Sequence, residues 1–377
     1  MDWLRIGAFA LLILYHIAMV FAPWDYHVKS VHVANWLVLP MLATNAWRLT
    51  LLFVVSGYAS RALLARSPGV GNFLADRSWR LLLPLAFGIA VIVPPQAWVE
   101  LVTKHGYAAS LPSFWLQDYF RFSHIAGLAL PSWNHLWFVG YLWVYTVALA
   151  LVALLVKPRV QHLFDRAFSG PAVLLLPLGW AACVHGWWFT MAAETHRLLA
   201  DPIAHLTFLP AFLFGFGLAG SPATMRAIAR WAPLGAAVAV AGYLTIAAIE
   251  LAATPAPRAL YPVYGIAHAC EQWGAIVALI GVAERWGRRD HPWRSTLTEA
   301  VFPFYLVHQT VIVVAMALLL PAGLSGVAEF AILLAATVAG CGLFYLGGRE
   351  VGWLRPLIGL RMNRRSAARA LDRPAVA

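Results

Sequence analysis

Charged side chains are scarce: Asp, Glu, Lys and Arg make up only 11% of the 377 residues, where soluble chains carry about 25%. That shortage excludes an ordinary soluble domain. Cysteine is scarcer still. Cys183, Cys270 and Cys341 fall in separate apolar segments without metal-ligand spacing, so neither a disulfide framework nor a zinc site is expected to organise the fold. No small-x-small cleavage site follows the first apolar stretch, only Phe21-Ala22-Pro23, and no cleaved signal peptide is expected. Internal repeats of the kind that mark many secondary transporters are also missing.

What the chain does hold is hydrocarbon. It is 62% hydrophobic with a mean hydropathy of +0.73, which predicts an all-α, polytopic integral membrane protein. Windows of about 20 apolar residues fall at 4–22, 43–62, 80–99, 135–156, 171–190, 204–220, 231–250, 263–284, 299–320 and 326–346, about ten transmembrane helices. The sixth is short and the eighth carries polar residues, so the expected range is eight to eleven spans. The net charge of +11 invites a nucleic-acid reading, but the basic residues gather in alternate loops. With the N-terminus inside, all but six of the 27 Lys and Arg lie on the inner side. The positive-inside rule then predicts that both termini are cytoplasmic. A transmembrane domain over 1–347 and a basic cytoplasmic tail over 348–377 follow, the tail (Arg361, Arg364, Arg365, Arg369) lying near anionic lipid head groups. The predicted location is a bacterial cytoplasmic (inner) membrane, and no nucleic-acid partner is expected.

Two long outer loops, 23–42 and 100–134, are rich in Trp, Tyr, His and Pro, as in Trp24-Asp25-Tyr26-His27 and Pro131-Ser132-Trp133-Asn134-His135. Aromatic residues there form interfacial belts or stack on a sugar ring.

Ionisable residues inside a span are costly and by default point to function. Arg5 and His16 stand eleven positions apart on the first apolar helix, just over three turns, so they share one face about 16 Å apart along the axis. A guanidinium at the membrane surface holds an anion, and an imidazole at depth moves a proton near neutral pH. Arg77 and Arg80, at i and i+3, make a fork suited to phosphate oxygens; the plainer reading is a positive-inside anchor. Ser56-Gly57 in Phe53-Val54-Val55-Ser56-Gly57-Tyr58 allows close helix approach, and packing is its expected role. Arg48 opposes the charge bias near an outer end; it snorkels or holds an anionic acceptor or acyl group. His135 in His135-Leu136-Trp137-Phe138 and His308 in Pro303-Phe304-Tyr305-Leu306-Val307-His308 are either packing residues or participants. Glu250, His268 and Glu271 are further intramembrane candidates.

These motifs, in this order, resemble the membrane acyltransferase-3 family over most of the chain. Tyr26-His27-Val28-Lys29-Ser30, Arg48 through Tyr58, and Val93-Pro94-Pro95-Gln96 are more similar to its glucan succinyltransferase branch. The resemblance implies O-acyl transfer from cytoplasmic acyl-CoA, succinyl-CoA or acetyl-CoA, to a hydroxyl of a periplasmic or cell-surface glycan, most simply a periplasmic glucan. It implies that His16 is the catalytic histidine with Arg5, that Arg77 and Arg80 bind the acyl-CoA co-substrate, and that no metal takes part. Arg48, His135, Trp137, Tyr305 and His308 are the substrate-binding candidates. His16 serves either as general base or as the acceptor of the acyl group itself. Expected partners are acyl-CoA, the glycan and membrane lipids; a homodimer and glycan-synthesis partners stay open. The rival reading is a transporter or flippase for an anionic lipid- or sugar-linked substrate, disfavoured by the missing repeats and the missing Gly/Pro-broken helix pairs.

Overall fold

The computed structural model describes residues 1–155, 159–252, 256–286 and 291–362. The expected tail residues Arg364, Arg365 and Arg369 lie outside the described residues, as do the inner-side Lys157, Arg288 and Arg289. The protein is an all-α membrane protein. In chain order the principal helices are α1 (Asp2–Phe21), α2 (Val38–Arg66), α3 (Val70–Phe87), α4 (Pro94–His105), α5 (Trp137–Leu155) and α6 (Arg159–Ala167). There follow α7 (Ala172–Cys183), α8 (Pro202–Leu218), α9 (Pro222–Ala252), α10 (Tyr261–Trp286), α11 (Trp293–Leu319) and α12 (Gly326–Glu350).

Each apolar window of the sequence falls on helix, yet not every one crosses a membrane alone. Among the described residues, eight helical stretches are long and apolar enough to do so. The fifth window belongs to a pair, Val160–Ala167 and Ala172–Trp188, bent by 92°, which makes a ninth if it counts as one span. The sixth is α8, 17 residues long; at 1.5 Å per residue it reaches about 26 Å, short of a hydrocarbon core of about 30 Å. The count is eight, or nine with the bent pair, within the expected range of eight to eleven.

The chain divides into two compact units. The first comprises Met1–Leu11, Trp36–Asp76 and Tyr141–Arg294; the second comprises Leu12–Asn35, Arg77–Gly140 and Ser295–Ala377.

In the first unit, α2 meets α8 through glycine. A Cβ on Gly57 would stand 1.8 Å from the Phe212 carbonyl oxygen, and one on Gly215 would stand 1.9 Å from that of Val54. The Ser-Gly motif is thus a backbone-to-backbone contact, the small-residue packing that joins helices in lipid. α10 is tied to α2 by Gln272, whose Nε2 donates to the Ala46 carbonyl at 3.1 Å and to the Thr50 hydroxyl at 3.0 Å.

In the second unit, α3 runs into a π-helical turn, Gly88–Ile92, before α4. Proline explains it. Pro94 and Pro95 have no N–H to return to the preceding carbonyls, so the turn widens and side chains supply the missing donors. Tyr119 Oη donates to the Ile89 carbonyl at 2.9 Å, Trp115 Nε1 to that of Ala90 at 2.8 Å, and Thr310 Oγ1 to that of Ile92 at 2.7 Å.

The segment after α4 folds on a small core, Ala97, Leu101, Phe114, Tyr119 and Leu130. It includes the hairpin β1 (His124–Ile125) and β2 (Leu128–Ala129). The hairpin turns through Ala126 and Gly127, both with positive φ, as a tight two-residue connection demands. Tyr107 donates to the Asp118 carboxylate. Burial first, then the Asp118 charge, pushes its phenol up to about 12. The aromatics of this loop therefore divide: Phe114 and Tyr119 are core, whereas Phe122 stands 82% exposed.

Candidate active site

α1 is unbroken from Asp2 to Phe21, and His16 lies on the part belonging to the second unit. It meets α11 there. His308 Nε2 lies 3.0 Å from His16 Nδ1, with ring centroids 5.0 Å apart. His308 Nδ1 is 2.7 Å from the Tyr305 carbonyl oxygen. A carbonyl only accepts, so the His308 Nδ1 carries the proton. With His308 neutral, its Nε2 holds a lone pair, and the proton of the short contact belongs to His16 Nδ1. In the neutral His16 ring Nε2 then carries no proton, the form a general base requires.

His135 closes the group. Its Nε2 donates to the Leu306 carbonyl at 3.1 Å and its ring packs edge-on against His308 at 5.0 Å. Tyr305 Oη donates back to the His135 carbonyl at 2.5 Å. His135 Nδ1 is buried with no hydrogen-bond partner among the described residues. Since its Nε2 bears the hydrogen, Nδ1 is an acceptor only. The structure so brings together His16, His135, Tyr305 and His308, four of the residues singled out in the sequence. Trp137 is buried beside Phe138 in the same unit. The geometry of His308 is that of a residue orienting His16, and its side chain is wholly buried at 0% exposure.

A second network, which the sequence reading did not assemble, lies beside this group in the same unit. Thr310 gives its proton to Ile92 and therefore accepts from Gln96 Nε2 at 2.6 Å. Gln96 Oε1 then accepts from Asn134 Nδ2 at 2.9 Å and from Gln309 Nε2 at 3.0 Å. The other Gln309 hydrogen points to His27 Nε2 at 2.8 Å. His27 is left to donate from Nδ1 to Glu100 Oε2 at 2.5 Å. Glu100 Oε1 takes Lys104 Nζ at 3.2 Å, and Lys104 reaches Asp25 at 2.7 Å. Every direction in this series follows from one backbone carbonyl. Two signals pointed toward it: the Tyr26-His27 stretch and the prolines before Gln96.

The loop after α1 is held as firmly by its other residues. Lys29 Nζ donates to the Met19 carbonyl at 2.6 Å and to that of Ala22, a cation on the carbonyl end of a helix that has no basic residue in its own last turn. Burial lowers the Lys29 ammonium below its ordinary pKa. Ser30 Oγ donates to Glu329 at 2.5 Å, and the Ser30 N–H to the Val20 carbonyl at 3.1 Å.

Arg77 and Arg80, half-buried on α3, are also in the second unit. Arg5 and Arg48 belong to the first. Arg48 is 4% exposed, which overturns the snorkelling alternative: its charge is enclosed by protein beside the Gln272 contacts to Ala46 and Thr50. His268 and Glu271 are in the first unit too, His268 against His185 with centroids 4.8 Å apart.

Apolar helices that carry a buried imidazole group of this kind mark a functional site within a membrane protein. The chain belongs to the acyltransferase-3 family, whose model, described as an acyltransferase domain, matches residues 1–346. Among curated proteins it is similar to the Glucans biosynthesis protein C of Escherichia coli O1:K1 / APEC and of Escherichia coli (strain K12 / DH10B). Each is 30% identical over 146 residues, which is 39% of this chain and 36% of the relative. The match thus spans little more than a third of the length of those relatives. No solved structure matches the chain. The protein is a membrane acyltransferase.

Proposed function

We propose that this acyltransferase moves a succinyl or acetyl group from cytoplasmic acyl-CoA to a hydroxyl of an extracytoplasmic glycan, most simply a periplasmic glucan. The membrane is the bacterial cytoplasmic one, with both chain termini on its inner side. The observation that carries the reading is the His16–His308 contact of 3.0 Å, which orients the His16 ring and holds the proton of the neutral imidazole on Nδ1. The name of the E. coli relatives supports a glucan; the enclosed Arg48 supports a carboxylate-bearing acyl group.

His16 Nε2 takes the proton of the glycan hydroxyl as its oxygen bonds to the thioester carbonyl carbon. The carbonyl electron pair moves onto oxygen. When it returns, the carbon–sulfur bond breaks and the CoA thiolate takes the proton from His16. Arg77 and Arg80, in the same unit as His16, serve the phosphates of the donor. Acyl-CoA is the co-substrate, and no group of His, Cys, Asp and Glu able to hold a metal occurs among the described residues.

The test uses purified protein, labelled succinyl-CoA and acetyl-CoA, and a panel of periplasmic glycans. Label is expected on a glycan with wild type and none with His16→Ala. Undiminished transfer by His16→Ala removes the mechanism.

A further inference from the structure

Beside His16 the protein buries a hydroxyl that none of the described residues satisfies. The Tyr26 ring lies nearly parallel to that of His16, at 20° with centroids 6.3 Å apart. Tyr26 is 8% exposed, and its Oη is buried without a hydrogen-bond partner among the described residues. An unpaired hydroxyl in the interior is costly, and native proteins keep few of them without a reason.

The residue has no freedom to seek a partner. On one side of it Asp25 pairs with Lys104, and on the other His27 is held by Glu100 and Gln309. Three and four residues on, Lys29 and Ser30 tie the loop to the end of α1 and to α12. A hydroxyl so fixed is a preorganised hydrogen-bonding group, the arrangement that stabilises charge developing in a transition state. Burial, then the Glu100 charge, raises the Tyr26 phenol above its ordinary value, so it keeps its proton and donates. The other unpartnered polar atom near the pair, His135 Nδ1, has no hydrogen to give.

We propose that Tyr26 is a catalytic residue of the transfer: its hydroxyl donates a hydrogen bond to the thioester carbonyl oxygen as that oxygen becomes an oxyanion. The proposal rests on the reading of His16 as base. The acceptor proton goes to His16, the carbonyl electron pair goes to the oxygen facing Tyr26, and the phenol proton stays on Tyr26 throughout. Collapse expels the CoA thiolate as described above. An acceptor hydroxyl thus meets a base on one ring and the oxyanion a donor on the neighbouring one.

The experiment compares wild type, Tyr26→Phe and His16→Ala as full-length purified protein, following release of CoA from succinyl-CoA and acetyl-CoA with a β-glucan oligosaccharide as acceptor. Tyr26→Phe is expected to lower kcat about 100- to 1,000-fold, the usual loss for one oxyanion donor, with the KM for acyl-CoA within about twofold. Its melting temperature in detergent is expected to be unchanged or higher, because the variant loses a buried unpaired hydroxyl. A kcat within threefold of wild type overturns the proposal. So does a loss confined to KM, or a fall in melting temperature that parallels the loss of activity. An inactive His16→Ala with a fully active Tyr26→Phe rejects Tyr26 alone. Activity in His16→Ala rejects the reading of the site itself.

Discussion

Replacing His308 by phenylalanine isolates its effect on His16. The phenyl ring fills the buried space of an imidazole that is 0% exposed but accepts no hydrogen bond. His16 Nδ1–H then loses the acceptor 3.0 Å away. A net hydrogen bond is worth about 0.5–1.5 kcal/mol, and a buried donor left unsatisfied costs about 1–3 kcal/mol. The proton of His16 is no longer held on Nδ1, and any fraction that moves to Nε2 blocks the base. Taking about 1.5–3 kcal/mol as the loss in the chemical step, at 1.36 kcal/mol per tenfold, kcat falls about 10- to 150-fold. His308→Gln offers a carbonyl acceptor and is expected to recover part of that. The assay is steady-state acyl transfer with kcat and KM for acyl-CoA resolved, on protein whose melting temperature has been checked. A His308→Phe enzyme within threefold of wild-type kcat would refute the orienting role; so would a His308→Gln enzyme no better than it.

Arg48→Ala should impair succinyl transfer more than acetyl transfer, by about tenfold or more in kcat/KM, since a hydrogen bond to a charged group is worth about 1.5–3 kcal/mol; equal loss with both donors removes the carboxylate role. Arg77→Ala with Arg80→Ala is expected to weaken CoA binding measured by titration in detergent while the protein stays folded, and unchanged affinity counts against a phosphate fork. Gly57→Ala puts a Cβ 1.8 Å from the Phe212 carbonyl oxygen, which is backbone and must move. The expected cost is about 1–3 kcal/mol, seen as a lower melting temperature; a variant as stable as wild type would mean that α2 and α8 separate without penalty.

Much was legible in the residues alone. Hydrocarbon length is a local property, so the apolar windows found the helices, and the charge bias proposed an orientation. Ser56-Gly57 announced its packing role because only a glycine admits a neighbouring backbone so closely. His16, His135 and His308 stood out because a polar side chain on an apolar helix needs a partner. Those same rules marked the sixth window as short, as α8 is, but failed for the bent pair of α6 and α7, where a hydrophobic window said nothing of a 92° break. They failed again for the aromatic loop, since composition does not separate a buried Phe114 from an exposed Phe122.

Partnership was what the sequence left open. His16 and His308 are 292 positions apart, as Ser30 and Glu329 are 299, and no periodicity relates them. The proton on His16, the direction of every bond from Thr310 to Glu100, and the isolation of the Tyr26 hydroxyl all follow from which carbonyls and side chains come within reach. The sequence by itself determined that this chain is helical, spans a membrane and buries ionisable side chains, because hydrophobicity and helix period act over a few turns. Only the tertiary structure decided which nitrogen of His16 faces His308 and which hydroxyl stands without a partner among the described residues, because a hydrogen bond has direction and range that hydrophobicity lacks.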